Sequence, residues 1–380
     1  MIITSSNINY VKIEPYELCP CDSGNKFKFC CFEKARNHKQ KSKIDSTYTD
    51  ARINHIIKQF WETTDFKTCL GFIKEECEGD IKSAHSIQNN RILNRISKNG
   101  HVFKIETKGT RDGSQSTLEK ISKNKASTFF GFCDKHDTEL FRDIEVKGYI
   151  GSPIQDFLFA FRAHSIEHHK KIRQLQTTKN LFKEIPSAMV NPDSVYPYRV
   201  AQLDVRDHQL DYSYFREHFL MGEYNVVKTI RYTLNYEVRF SASSSFTVKH
   251  DLNGKTLNDI HGLGIEKMPS IFLNVFPAEG KTHILISYLL ADEAIYKEYF
   301  EQIRILPEKE LLNYLNFLII EYTENVFFDP DFIGEMSQKQ KDSLLRSFES
   351  SIYLLEKLFL IEEENYFEFN LFDNKMIINP

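Results

Sequence analysis

The 380-residue chain has no run approaching the roughly 20 apolar residues of a membrane span. Its strongest apolar stretches, 314–320 and 352–361, are broken by polar residues at helical spacing, as core helices are. The N-terminus lacks the basic segment and long apolar stretch of a secretion signal. These absences predict a cytoplasmic protein without a membrane partner. No phosphate loop, dinucleotide fingerprint, kinase motif set or nucleophile elbow is present, and no repeat of solenoid period. The usual nucleotide-driven enzymes and α/β-hydrolases are thereby excluded. A strong imbalance of charge is also lacking, with 49 Lys/Arg against 53 Asp/Glu and a net of −4.

What is present is cysteine, unevenly placed. Four of the seven thiols, Cys19, Cys21, Cys30 and Cys31, fall within thirteen residues. A segment this short cannot bury enough apolar surface to fold alone, whereas tetrahedral thiolate ligation of zinc makes metal binding part of its folding energy. A disulfide reading would need an oxidising compartment. The Cys-Pro-Cys, the Ser23-Gly24 turn, the basic-aromatic stretch and the terminal Cys-Cys resemble the SEC-C motif over about residues 15–32. That resemblance implies zinc and a docking role toward protein or nucleic acid, and says nothing of chemistry elsewhere.

Aromatic residues make up 13% of the chain, enough for real cores in two or three domains. Residues 81–125 carry ten Lys/Arg against Glu106, Asp112 and Glu119, a candidate surface for a phosphate backbone, while residues 351–380 are acidic. Helical periodicity is expected at 50–62, 152–176, 292–303, 308–325 and 337–360, with residues from 163 onward polar. From about 197 the pattern turns to period two. It includes a half-buried strand over 226–240, a hairpin across 271–289 turning at 277–281, and a last hairpin within 366–378. The expected class is α+β. A zinc module and linker (1–45) precede a treble-clef-like zinc domain (46–150) and a mixed antiparallel-sheet and helix body (151–380).

The middle segment holds Cys69, Cys77, Cys133 and His136. Cys133-x-x-His136 at the start of a helix, preceded by a cysteine pair and a hairpin, is a treble-clef order of ligands and predicts a second zinc. His85 is then surplus. Preceded by a small residue and followed by Ser-Ile, it resembles the first motif of HNH (ββα-metal) nucleases. The resemblance implies that His85 activates the attacking water and that Asp137, just after the last zinc ligand, holds magnesium or manganese against a phosphate. Asn124 or Asn90 would orient the base. Gln88 stands where that family has proline, and an aspartate replaces its usual histidine. In an alternative assignment His85 replaces Cys69 as fourth ligand, which closes the site and leaves no base. His101 reads as a hairpin residue.

Two further patterns are weaker. His164 and His168, at i and i+4 with Glu167, have the form of an inverted zincin motif, but Lys170, Lys171 and Arg173 beside them read as a solvated face. Glu321 and Glu324, or Asp329 and Asp331, could in principle hold a metal as paired carboxylates, but a helix end and an Asp-Pro turn are the favoured explanation of the same residues. The expected function is a two-zinc protein contacting nucleic acid, with an HNH-like nuclease site, of a kind that resembles bacterial antiphage defence effectors. The rival is a non-catalytic adaptor docking a protein or ribosomal partner through the SEC-C-like module.

Overall fold

Strict side-chain alternation builds the centre of the molecule. In the computed structural model, which describes residues 11–37, 49–110, 113–260, 262–350 and 370–372, the chain is α+β. Strands β2 (His101–Thr110), β3 (Gly113–Ser122), β5 (Val227–Leu234), β6 (Phe240–Phe246), β7 (Ile271–Ala278), β8 (Lys281–Leu289) and β9 (Val326–Phe328) form one antiparallel sheet. Its order is β3-β2-β9-β6-β7-β8-β5. Along β7, Ile271, Leu273 and Val275 face a layer made by α7 (Glu293–Arg304) and α8 (Glu308–Tyr322). Phe272 and Phe276 face the opposite layer, against Phe159 and Phe161 of α5 (Pro153–Glu184). The β7–β8 turn is shorter than expected: Glu279 (φ 53°) and Gly280 (φ 79°) are both left-handed, a two-residue hairpin turn matched to strand twist.

The period-two pattern expected from 197 needs correction, because 197–221 belongs to helix α6 (Pro192–Met221). Pro192 opens it, the Asn191 side chain accepts from the Asp193 N–H, and Gly222 at φ 73° closes it. Val195, Tyr198, Ala201, His208, Tyr212 and Phe215 are buried at three- and four-residue spacings, along the seam with α5. The polar half of α5 is also not solvated as expected. His164, Ser165, Glu167, His168 and His169 are buried because α5 runs between α6 and the sheet.

The remaining elements set the functional geometry. Helices α1 (Phe32–Asn37) and α2 (Asp50–Glu62) precede the two-stranded sheet of β1 (Ile81–His85) and β4 (Thr128–Cys133). Helix α3 (Asp134–Leu140) follows β4 directly, then α4 (Arg142–Glu145). The long β2–β3 hairpin inserted between β1 and β4 pairs through Phe103↔Phe328 and Lys104↔Phe327 with β9, so the large sheet crosses the boundary expected at 150. Helices α9 (Pro330–Glu335) and α10 (Gln338–Ser350) end the body. The expected helix beyond 350, and the hairpin and acidic tail apart from 370–372, lie outside the described residues. No helix among the described residues is long and apolar enough to cross a membrane.

Candidate metal centres and active site

The first cysteine group is shaped by backbone bonds from Cys19 N–H to Asn25 O (2.8 Å) and from Phe27 N–H to Glu17 O (2.8 Å). Left-handed Asp22 and Gly24 turn the loop between them. Four sulfurs are thereby gathered within 4.8 Å of one another, with Cys21 Sγ to Cys30 Sγ at 3.5 Å. Burial pushes the Cys19 thiol up to about 11. Burial also opposes ionisation of Cys21, but hydrogen bonds from Ser23 and Cys19 outweigh it and bring that thiol to about 6. The module sits on the far end of the α5–α6 hairpin. Phe27 is buried against Phe182, Met189 and Tyr198, while Glu17 pairs with Arg199 (2.7 Å) and Asp22 with Lys179 (2.7 Å).

The second group comes from three places: Cys69 and Cys77 in the loop before β1, Cys133 at the end of β4, and His136 in the first turn of α3. Its ligand atoms also lie within 4.8 Å of one another. His136 Nδ1 is 3.2 Å from Cys133 Sγ, 3.4 Å from Cys69 Sγ and 3.7 Å from Cys77 Sγ. The N–H groups of Gly71 and Cys133 both point at Cys69 Sγ (3.4 Å each), the usual support for a thiolate. Gly71 has a steric duty as well, since a Cβ there would stand 2.3 Å from His136 Cγ. Burial works against ionisation of Cys133, but the backbone N–H groups of His136 and Glu78 lower its thiol overall. Either group could hold a metal ion. The His85 side chain is not a member of this second cluster, whose fourth position is Cys69.

His85 ends β1, its ring hydrogen-bonded to the Lys123 backbone, and its Nε2 is buried without a hydrogen-bond partner among the described residues. Burial, with a smaller contribution from Arg162, holds the imidazole below its ordinary value of 6.5. Asp137 lies on α3, and burial raises its carboxyl while Arg162 lowers it. Arg162 from α5 joins the two: it ion-pairs with Glu145, lies 4.0 Å from Asp137 Oδ1 and stacks 4.4 Å over the Phe141 ring. His85 and Asp137 therefore feel the same Arg162–Glu145 pair. The chain matches no family model, no curated protein and no solved structure.

Arg162 was not foreseeable from the β1–β4–α3 segment, since it belongs to a helix assigned to the body. Asn325 was likewise read only as a helix end. It is buried, and its amide donates to Ser86 Oγ (2.9 Å) and Ser243 O (2.7 Å), pinning the residue after His85 to the large sheet. Asn124 accepts from Asn89 Nδ2 (2.9 Å). His101 bonds Asn99 O in its hairpin. Asp329 caps α9 by accepting from Asp331 N–H (2.6 Å), and Glu324 pairs with Lys170 (3.0 Å), so those carboxylates have structural partners. Much of the basic excess over 81–125 is matched by carboxylates, as in Lys82–Asp134, Arg95–Glu237 and Lys98–Asp331.

Proposed function

We propose that this protein is a metal-dependent nuclease of HNH type, with a zinc-stapled finger carrying the reactive histidine and a SEC-C-like zinc module docking a partner. The observation that carries the reading is the antiparallel β1–β4 pair followed at once by α3. It sets Asp137 next to the candidate ligand His136 and leaves His85 Nε2 unsatisfied at the other end of β1, with both groups in the field of one buried arginine. Zinc suits both cysteine groups, because three or four soft thiolates at tetrahedral spacing favour it.

A neutral His85 can accept the proton of a water whose oxygen bonds to a phosphodiester phosphorus as the bond to the departing sugar oxygen breaks and that oxygen takes a proton from solvent, a role worth about 10²–10⁴-fold in such reactions. Asp137 Oδ1 is buried without a hydrogen bond and offers the hard oxygen donor that magnesium or manganese prefers. That ion, when bound, would offset charge developing on the phosphate. Arg162 adds fixed positive charge at the same place. Lys120, Lys123 and Lys125, on and just after β3, supply a basic approach for the nucleic acid backbone.

The test is cleavage of plasmid and RNA with added magnesium or manganese by the purified chain and by His85→Ala. Activity should fall by about 10²-fold or more in the variant while its zinc content stays at the wild-type level. Loss of one zinc would make His85 a ligand and end the catalytic reading. The adaptor reading also has support: Tyr16, Leu18 and Phe29 are exposed at 59%, 70% and 71% beside Lys26 and Lys28 on the first module. If no substrate is cut under either metal, binding that depends on Leu18 and Phe29 carries the function.

A further inference from the structure

Midway along the α5–α6 seam, sharing no residue with either cysteine group, three imidazoles meet. His164 and His168 stand one turn apart on α5, and His208 reaches across from α6. Ring centroids lie 5.2 Å apart for His164 and His208, 5.4 Å for His164 and His168, and 6.0 Å for His168 and His208. One nitrogen from each lies within 4.8 Å of the other two. Small rotamer adjustments would close that to the roughly 3.4 Å edge of a tetrahedron with bonds of about 2.1 Å.

These rings are poorly satisfied as they stand. All three are buried, His164 to 0% exposure. Both nitrogens of His164, and Nδ1 of His168 and of His208, have no hydrogen-bond partner among the described residues. Each orphaned polar atom at such depth is destabilising, because it has given up water without gaining a partner. Stacked imidazoles that share one desolvated site cannot all be charged, so each has a lone pair to give. One cation accepting three lone pairs removes several of these deficits at once.

The charges around the cluster permit a cation there. Lys267 is held by Asp211 (2.5 Å) and Asp292 (2.9 Å), Lys170 by Glu167 (2.8 Å) and Glu324, and Lys171 by Asp204 (2.8 Å). Beside the cluster is a cavity of about 280 Å³, lined by His208 and by Glu167, which sits between His164 and His168 on α5. Ser244 Oγ donates to Glu167 in the cavity wall. Three protein ligands beside a polar cavity are the arrangement of an open site, in contrast to the closed four-ligand cysteine groups.

We propose that His164, His168 and His208 hold a third metal ion, a divalent transition metal with zinc the first candidate, whose remaining position takes water or a small donor from the adjoining cavity. Imidazoles without thiolate or carboxylate suit zinc, iron, nickel and copper, and disfavour magnesium and calcium. The proposal is independent of the nuclease reading.

The test is metal stoichiometry of the full chain equilibrated in zinc buffer, for wild type, His208→Phe and His168→Gln, and for Cys133→Ser as a control. Wild type should carry three equivalents and each histidine variant two, while Cys133→Ser loses a different one. Cobalt substitution separates the classes: the third equivalent should add ligand-field absorption without sulfur-to-metal charge transfer, and both histidine variants should lack that absorption. The inference is overturned if wild type binds only two ions in zinc, cobalt, nickel and iron buffers. It is equally overturned if folded His208→Phe keeps all three. Should a variant not fold, the wild-type count and the cobalt spectrum decide.

Discussion

Replacing Gly71 by alanine should disarm the second metal group without touching a ligand. Gly71 does not occupy a left-handed conformation, so alanine brings no backbone strain. The added methyl carbon would instead sit 2.3 Å from Cγ, 2.5 Å from Cδ2 and 2.6 Å from Nδ1 of His136, well inside contact distance for a ring fixed at the base of α3. The ring must swing away, and Nδ1 leaves the sulfurs it now approaches at 3.2–3.7 Å. Damage to the support around a metal ligand typically lowers affinity by 10–100-fold, about 1.4–2.8 kcal/mol. Competition with a chromophoric chelator measures this directly, and the first cysteine group serves as an internal reference. Gly334→Ala, where the new methyl meets nothing within 4 Å, should leave metal binding unchanged. A folded Gly71→Ala protein with zinc affinity within twofold of wild type would refute the packing argument.

Three other outcomes are expected. Because burial lowers the His85 imidazole and outweighs the hydrogen bond to the Lys123 backbone that raises it, the proposed nuclease activity should persist below pH 6.5 before falling, and a rate profile centred above 7 would contradict that. In the metal-free chain, burial brings His168 down to about 4, so its contribution to stability is complete above about pH 6.5 and is lost as pH falls toward 4. The gap in unfolding free energy between wild type and His168→Gln should therefore shift by about 3 kcal/mol between pH 7 and pH 4, read from denaturant midpoints. Asn325→Ala should cost about 1–3 kcal/mol by leaving Ser86 Oγ and Ser243 O without their donor, and an unchanged melting curve would show that water replaces it.

The legible parts of this chain are those where chemistry is local in sequence. The 19–31 cysteines announce themselves by spacing, and Cys133, His136 and Asp137 by position on a short helix. Helix α6 was misread because Tyr, Val and Phe recur through it, although only one stripe of the helix is buried along the seam with α5. In α5 the polar His164–His169 text conceals a buried segment, because α6 and the sheet cover it. His208 is 40 residues from His168, and nothing in the intervening sequence specifies the register in which the two helices pack. Strand β9, three residues long, ties the inserted β2–β3 hairpin into the body, and a segment so short carries no periodicity to read.

Helix α5 also acts as a ruler. Arg162 stands at the His85 site, while Lys179 grips the first cysteine module through Asp22. Seventeen residues of continuous helix separate them, about 26 Å at 1.5 Å per residue. On the nuclease reading proposed above, a duplex engaged at both ends would span roughly eight base-pair steps of about 3.4 Å. That proposed substrate would then show a length threshold set by this helix. Inserting one residue between Arg162 and Lys179 would change that separation by only about 1.5 Å but would turn the first cysteine module about 100° around the helix axis.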